Sequence, residues 1–263
     1  NKGKVNEWDV VNEMLDDDQS IVRNNPDGYA LRTSVWHTGI GSDFIEKALE
    51  YAHAADSEAK LFINEYGAEF IGEPKSEALY NLAKYLVGKG APLHGVGLQC
   101  HLTTGEVKAD KLAANIRRYQ ELGLECIVTE LDIAQAKPDA SDAAEVQAAE
   151  YGALVNAALS QSNCPSVLIW GLADSDSWRE NNPLLYDASV KPKDAYYAVH
   201  AALRVRSGNS TAIEETFSEP ADVIRTEYYN IQGIRLNTPV PGLVIKREYH
   251  SDGTVTNTKV IIR

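Results

Sequence analysis

Glu125-Cys126-Ile127-Val128-Thr129-Glu130-Leu131-Asp132 is followed, after a short polar interval, by the alanine-rich stretch from Asp142 to Ser160. The first has strand length and carries the β-branched pair Ile127 and Val128. The second is long and built of strong helix formers, so together they read as one strand-helix unit. The same alternation runs outward in both directions. Upstream, Val5 to Asn12, Lys60 to Asn64 and His94 to His101 read as strands. The helices between them run from Asp43 to Ala54, with Phe44, Ile45, Ala48 and Leu49 on one face, from Lys75 to Val87, ended by Gly88 and Gly90, and from Asp110 to Leu122. Downstream, Val167 to Trp170 reads as a strand and Asp194 to Val205 as a helix. Strands and helices in strict alternation imply right-handed crossovers and a parallel sheet, hence an α/β fold.

The end of the chain is of another kind. Beyond a Ser/Asn/Thr/Glu-rich stretch at 207–219, read as a linker, Glu227 to Asn230, Leu243 to Tyr249 and Thr254 to Ile262 look like antiparallel strands. Gln232-Gly233 and Ser251-Asp252-Gly253 would be their turns. The expected organisation is therefore 1–206, a linker at 207–219 and a small β appendage at 220–263.

Composition narrows the function. In 263 residues, 25 Lys and Arg stand against 38 Asp and Glu, a net charge of −13 that repels phosphate backbones and anionic lipid, so nucleic acid is not an expected partner. No apolar run approaches the ~20 residues that span a bilayer, so no membrane insertion is expected, and Asn1-Lys2-Gly3-Lys4 carries no apolar leader segment. At 44% hydrophobic and 24% charged, the chain is expected to build a core. Cys100, Cys126 and Cys164 are odd in number and widely spaced, which argues for core positions rather than a disulfide framework or a zinc site. No cofactor or metal is expected.

In parallel α/β folds, functional groups collect where the strands end. The strands here end in Asn12-Glu13, Asn64-Glu65-Tyr66, Gln99-Cys100-His101, Glu130-Leu131-Asp132 and Trp170. Two of these groups are the carboxylates Glu13 and Glu130, and a carboxylate pair across one cleft is what glycoside hydrolysis requires. Trp8, Trp36, Trp170, Trp178 and Tyr66 could cover the apolar faces of sugar rings. Taken singly, each has a plainer reading: a capping or solvated Glu, a buried and satisfied His101, a core Trp170. Asp16-Asp17-Asp18 reads as a solvated loop, since no glycine and distal Glu follow at EF-hand spacing. The glycines of Thr38-Gly39-Ile40-Gly41-Ser42 form only a fragment of a phosphate-binding pattern. A metal-dependent hydrolase would need several His or Asp ligands at strand ends, and only His101 is so placed.

The string Trp8-Asp9-Val10-Val11-Asn12-Glu13 resembles the acid/base motif of the retaining xylanases of glycoside hydrolase family 10. In the same order follow Leu61-Phe62-Ile63-Asn64-Glu65-Tyr66, His94 to Leu102, Val128-Thr129-Glu130-Leu131-Asp132-Ile133, Trp170 to Arg179, Pro183 to Asp187 and Lys191 to Tyr197. The resemblance covers about Lys4 to Leu203. It implies a (β/α)8 TIM barrel of which only about the last five βα units are present in this sequence, acting on xylan or xylo-oligosaccharide outside a bacterial cell, secreted or at its surface. It also implies Glu13 as general acid/base and Glu130 as nucleophile, with carboxyls ~5–5.5 Å apart and retained anomeric configuration. Asn12 would bind the sugar 2-hydroxyl and Gln99 the same ring. His101, oriented by Asp132, would bond Glu130. Trp170 and Trp178 would floor the glycone side, with Tyr66 and Asn64 on the leaving-group side.

The likeness has gaps. Asn64-Glu65-Tyr66-Gly67 stands where the family usually shows Asp and a second Asn around the tyrosine, and Cys100 replaces a small hydroxyl residue. The first three strands, with the family's E-N-x-M-K and W-H motifs, have no counterpart. A missing N-terminal barrel segment is expected to come from a longer chain or a partner chain; without it the protein would be a carbohydrate-binding remnant that cannot turn over. The tail from Glu227 to Arg263 resembles the C-terminal sorting segments of secreted Bacteroidetes proteins, the alternative being a small β appendage.

Overall fold

The computed structural model describes residues 2–20, 27–206, 223–230, 235–236, 238, 242–251 and 255–262. The chain divides into two compact units, Asn1–Asn209 and Ser210–Arg263. In the first, the order is β1 (Glu7–Asn12), α1 (Val35–Ile40), α2 (Phe44–Ala55), β2 (Lys60–Glu65), α3 (Pro74–Gly88), β3 (Gly95–Leu98), β4 (His101–Thr103), α4 (Ala109–Gln120), β5 (Glu125–Ala134), α5 (Ala143–Leu159), β6 (Val167–Ile169) and α6 (Asp194–Arg206). All the ladders are parallel and run β1-β2-β3-β5-β6, with β4 beside the carboxyl half of β5. Five strand-helix units therefore follow one another as the alternation demands, and they make a partial α/β barrel.

Alternation along the strands separates two layers. Leu61 and Ile63 of β2 join Leu79, Leu82 and Leu86 of α3, Leu112 and Ile116 of α4, and Leu154 and Val155 of α5 in the hydrophobic core. Phe62 and Asn64 point the other way, and their register partners on β3 are Gly95 and Gly97. A Cβ at Gly95 would lie 2.1 Å from the Phe62 ring and one at Gly97 2.3 Å from Asn64 Oδ1, so these positions admit no side chain. Cys100, Cys126 and Cys164 are buried free thiols. Among the described residues β1 and β6 each have one ladder neighbour in this sheet. Every residue of β1 is exposed or half-buried, whereas β2 and β3 are buried almost throughout.

Two features differ from the expected pattern. The strand read over His94 to His101 is divided, because Cys100 takes a left-handed backbone (φ 63°) and its N–H donates to the buried Glu69 carboxylate at 3.1 Å. Helix α1 was not legible, since Val35, Trp36 and Ile40 remain exposed and leave no apolar stripe turned to a core. Its start is set by Ser34, whose hydroxyl accepts the His37 N–H at 3.1 Å.

The second unit is an antiparallel sheet of β7 (Val223–Tyr229), β8 (Arg235–Leu236), β9 (Gly242–His250) and β10 (Val255–Ile262), in the order β10-β9-β7-β8. The expected linker at 207–219, the Gln232-Gly233 turn and residues 252–253 of the second turn lie outside the described residues.

Candidate active site

At the end of β1 the chain turns sharply. Glu13 has a left-handed backbone (φ 56°), which costs a non-glycine residue on the order of 1 kcal/mol, while its N–H still donates to the Asn64 carbonyl at 2.9 Å as the next rung of the β1–β2 ladder. The side chain thereby enters a cavity of about 1060 Å³ lined by Asp9, Asn12, Tyr66, Gln99, His101, Glu130, Trp170 and Trp178 among others. Glu130 reaches the same cavity from β5, its N–H bonded to the Gln99 carbonyl at 3.1 Å.

Asn64, Gln99 and Asn12 connect the two carboxylates. Asn64 Nδ2 donates to Glu130 Oε1 at 2.7 Å and to Asn12 Oδ1 at 3.0 Å, and Thr129 Oγ1 donates to Asn64 Oδ1 at 2.7 Å. Gln99 Nε2 donates to the same Asn12 oxygen at 3.1 Å and to Glu13 Oε1 at 3.3 Å. Because a carboxylate can only accept, Glu130 dictates which end of the Asn64 amide faces it, and the network then orients Asn12. Asn12 therefore keeps its oxygen for Asn64 and Gln99 and turns its NH₂ group outward. Asn64 itself is 1% exposed, so it sits beneath the cleft wall and holds Glu130, rather than standing at the leaving-group side as expected.

Around Glu130 the support is deep. His101 faces Glu130 Oε2 with Nε2 at 3.2 Å and Asp132 Oδ2 with Nδ1 at 2.9 Å. Arg179 Nη1 donates to Asp132 Oδ1 at 2.5 Å and to the Leu102 carbonyl at 2.7 Å, and Nη2 donates to Thr103 Oγ1 at 3.1 Å. Burial works against a charge on the imidazole, but the adjoining Asp132 and Glu130 carboxylates outweigh it and hold the His101 pKa above its ordinary value. The rings of Trp178 and Trp170 stand edge-on to His101, with centroids 5.2 and 6.3 Å away. Asp9 is pushed up to about 6, first by desolvation of its carboxyl and then by the charge of Glu130.

Around Glu13 the neighbour is a cation: Arg32 Nη1 donates to Glu13 Oε2 at 3.0 Å. Tyr66 carries two roles, since its ring lines the cavity while its hydroxyl donates to Asp17 at 2.5 Å and accepts from Arg32 at 2.6 Å. Asp17, expected in a solvated loop, is held by this bond and by Lys75 at 2.8 Å. Trp8 and Trp36, named as platforms, are not on this wall. Trp8 borders a small surface pocket with Lys2 and Asp56, and Trp36 lines an adjoining apolar groove that includes Arg32 and shares Asn12 and Glu13 with the cavity.

Asp9 and Arg179 lie inside the Trp8–Glu13 and Trp170–Arg179 strings, and that position is the signal the sequence offers for them. Arg32 lies in a loop and carried none. Among the described residues no group of three His, Cys, Asp or Glu side chains could hold a metal, and no helix is long and apolar enough to cross a membrane.

Two carboxylates at the ends of parallel strands, held by amides and flanked by indole rings on one cavity, form the type of site found in the α/β-barrel glycosidases. The family model for glycosyl hydrolase family 10 matches residues 1–202, and the chain belongs to that family. It is 40% identical over 195 residues to "Exoglucanase XynX" of Acetivibrio thermocellus, covering 73% of this chain and 17% of that protein. It is 37% identical over 216 residues to "Endo-1,4-beta-xylanase" of Geobacillus stearothermophilus, covering 75% and 62%. Among solved structures, the intracellular xylanase TsXylA of Thermoanaerobacterium saccharolyticum superposes with TM-score 0.66 at 40% identity, covering 74% of this chain and 57% of that one. Xylanase 10B of Thermotoga petrophila, solved with xylobiose, gives 0.70 at 32%, covering 78% and 62%. The chain thus spans less than two thirds of the length of each of these relatives.

Proposed function

We propose that this chain carries the catalytic carboxylates of an endo-acting β-1,4-xylanase that cleaves internal xylosidic bonds with retention of configuration. The observation that carries the reading is the pair Glu13 and Glu130 on one cavity, tied through Asn64, Asn12 and Gln99. Glu130, supplied with donors by Asn64 and His101, is the nucleophile: its carboxylate oxygen attacks the anomeric carbon as the glycosidic bond breaks. Glu13 gives its proton to the departing oxygen, then takes one from the water that releases the sugar from Glu130. The outward NH₂ group of Asn12 suits the 2-hydroxyl, a contact that strengthens as positive charge develops on the ring. Trp170 and Trp178 offer faces for the sugar on one side of the bond, and Tyr66 on the other.

A polymer such as xylan meets the enzyme where it does not need to enter a cell, which supports a secreted or cell-surface location. The test is incubation with soluble xylan, following reducing ends and the first-formed anomer by proton NMR. New reducing ends appearing first as the β-anomer are expected. Release of the α-anomer first would overturn retention, and binding of xylo-oligosaccharide without turnover would make the chain a carbohydrate-binding remnant.

A further inference from the structure

Arg32 is placed by main chain, independently of the carboxylate it touches. After leaving β1 the backbone returns antiparallel to itself: Arg32 N–H donates to the Met14 carbonyl at 2.8 Å, Asp16 N–H to the Ala30 carbonyl at 3.0 Å, and Leu15 and Leu31 form a bridge. Leu15 is fully buried and its N–H donates to Glu65 Oε2 at 2.9 Å, so this return is pinned to the core. The guanidinium then spans two partners, Nη1 to Glu13 and Nη2 to the Tyr66 hydroxyl. From Tyr66 the contacts continue through Asp17 to Lys75, and from Lys75 Nζ to the buried Glu65 at 3.0 Å. Lys75 Nζ also sits 3.4 Å from the Tyr66 ring centroid, which fixes the face that ring presents. The half-buried Glu13 carboxyl is thereby linked to the buried Lys75–Glu65 charge pair through a planar fork that lysine could not reproduce.

With side chains 32% and 36% exposed, the Arg32–Glu13 pair is worth little as a stabilising salt bridge. Its worth is directional: Gln99 holds Oε1 and Arg32 holds Oε2, so the plane of the Glu13 carboxyl is set from both sides. We propose that Arg32 is a positioning residue for proton transfer by Glu13, aiming the carboxyl at the glycosidic oxygen through the Tyr66–Asp17–Lys75–Glu65 chain. This rests on the reading of Glu13 as the acid/base group.

The experiment compares kcat/KM of the protein with Arg32→Met and Arg32→Lys variants on two aryl β-xylobiosides. One carries phenol, which needs a proton to leave, and the other 2,4-dinitrophenol, which leaves without one. Loss of aim is expected to lower kcat/KM for the phenyl glycoside by roughly tenfold or more, a fraction of the 10²–10⁴ that general acid catalysis supplies, and to change the dinitrophenyl value less than about twofold. The lysine variant, which keeps the charge and loses the fork, is expected to resemble the methionine variant. Equal losses on both glycosides, or lysine at wild-type rates, would overturn the proposal; the dinitrophenyl rate reports at once whether a variant is folded. A wild-type protein that cleaves neither glycoside would remove the xylanase reading itself, an outcome distinct from parallel losses in the variants.

Discussion

Glu13 and Glu130 open on the same cavity but are held by opposite means. Glu130 is 9% exposed and ringed by donors: the amide of Asn64, oriented by Thr129, and the ring of His101, oriented by Asp132 and through it by Arg179. Glu13 stands on a left-handed turn, its side chain about a third exposed, between a neutral amide and a guanidinium. A nucleophile attacks one carbon along one line, and burial among fixed dipoles suits that task. A group that gives a proton and then takes one from an incoming water has to admit that water to its carboxylate, and partial exposure suits that.

The comparison can be broken by truncation. Glu130→Ala is expected to lower kcat by a factor on the order of 10⁵–10⁶ whatever the leaving group, as for other deleted nucleophiles. Glu13→Ala should cost roughly 10²–10⁴ in kcat/KM on xylan and far less on a dinitrophenyl xyloside. If the two variants lose the same factor on both substrates, the division of roles is wrong.

It can be sharpened at Gly97. A Cβ there would meet Asn64 Oδ1 at 2.3 Å and Thr129 Cγ2 at 2.7 Å, so Gly97→Ala must displace the amide that holds Glu130. A kcat loss of roughly 10²-fold is expected, with destabilisation of about 1–3 kcal/mol by denaturant melting. Full activity would show that Asn64 does not position Glu130.

The smallest effect is expected at Asp9. Its pKa rises from 3.8 to about 6 in the fold, so the associated stability is fully present below 3.8 and is lost as pH rises through about 6. Asp9→Asn removes that loss. The variant should melt about 2–4 °C above the wild type at pH 7.5, with no gain at pH 4. An equal gain at both values would mean that the cost of ionising Asp9, set first by its burial and then by the charge of Glu130, is not the source of the gain.

Much of the parallel unit was legible because its signals are local. Strand β5 announced itself by Ile127 and Val128, and helix α3 by the 3.6-residue spacing of Leu79, Leu82 and Leu86, all of which join one core. The break at Cys100 was not legible, because it depends on Glu69, remote in sequence, accepting its N–H. In the site, Glu13, Glu130, Gln99, His101, Asp132, Trp170 and Trp178 could be named from motifs at strand ends. The burial of Asn64 and the displacement of Trp8 and Trp36 from the cleft could not, since a strand's alternation says which residues share a face and not what lies opposite.

From the amino-acid order alone came the succession of five strand-helix units and the two acidic side chains at the ends of the first and fourth, because period, propensity and position along a strand are properties of neighbours in the chain. Only the tertiary structure decided that Arg32 grips Glu13, that Gly97 makes room for Asn64, and that Tyr66 hangs between Asp17 and Arg32. Those contacts join segments 19 to 49 residues apart or lie across a strand ladder, where the meeting of side chains is set by packing and register rather than by sequence.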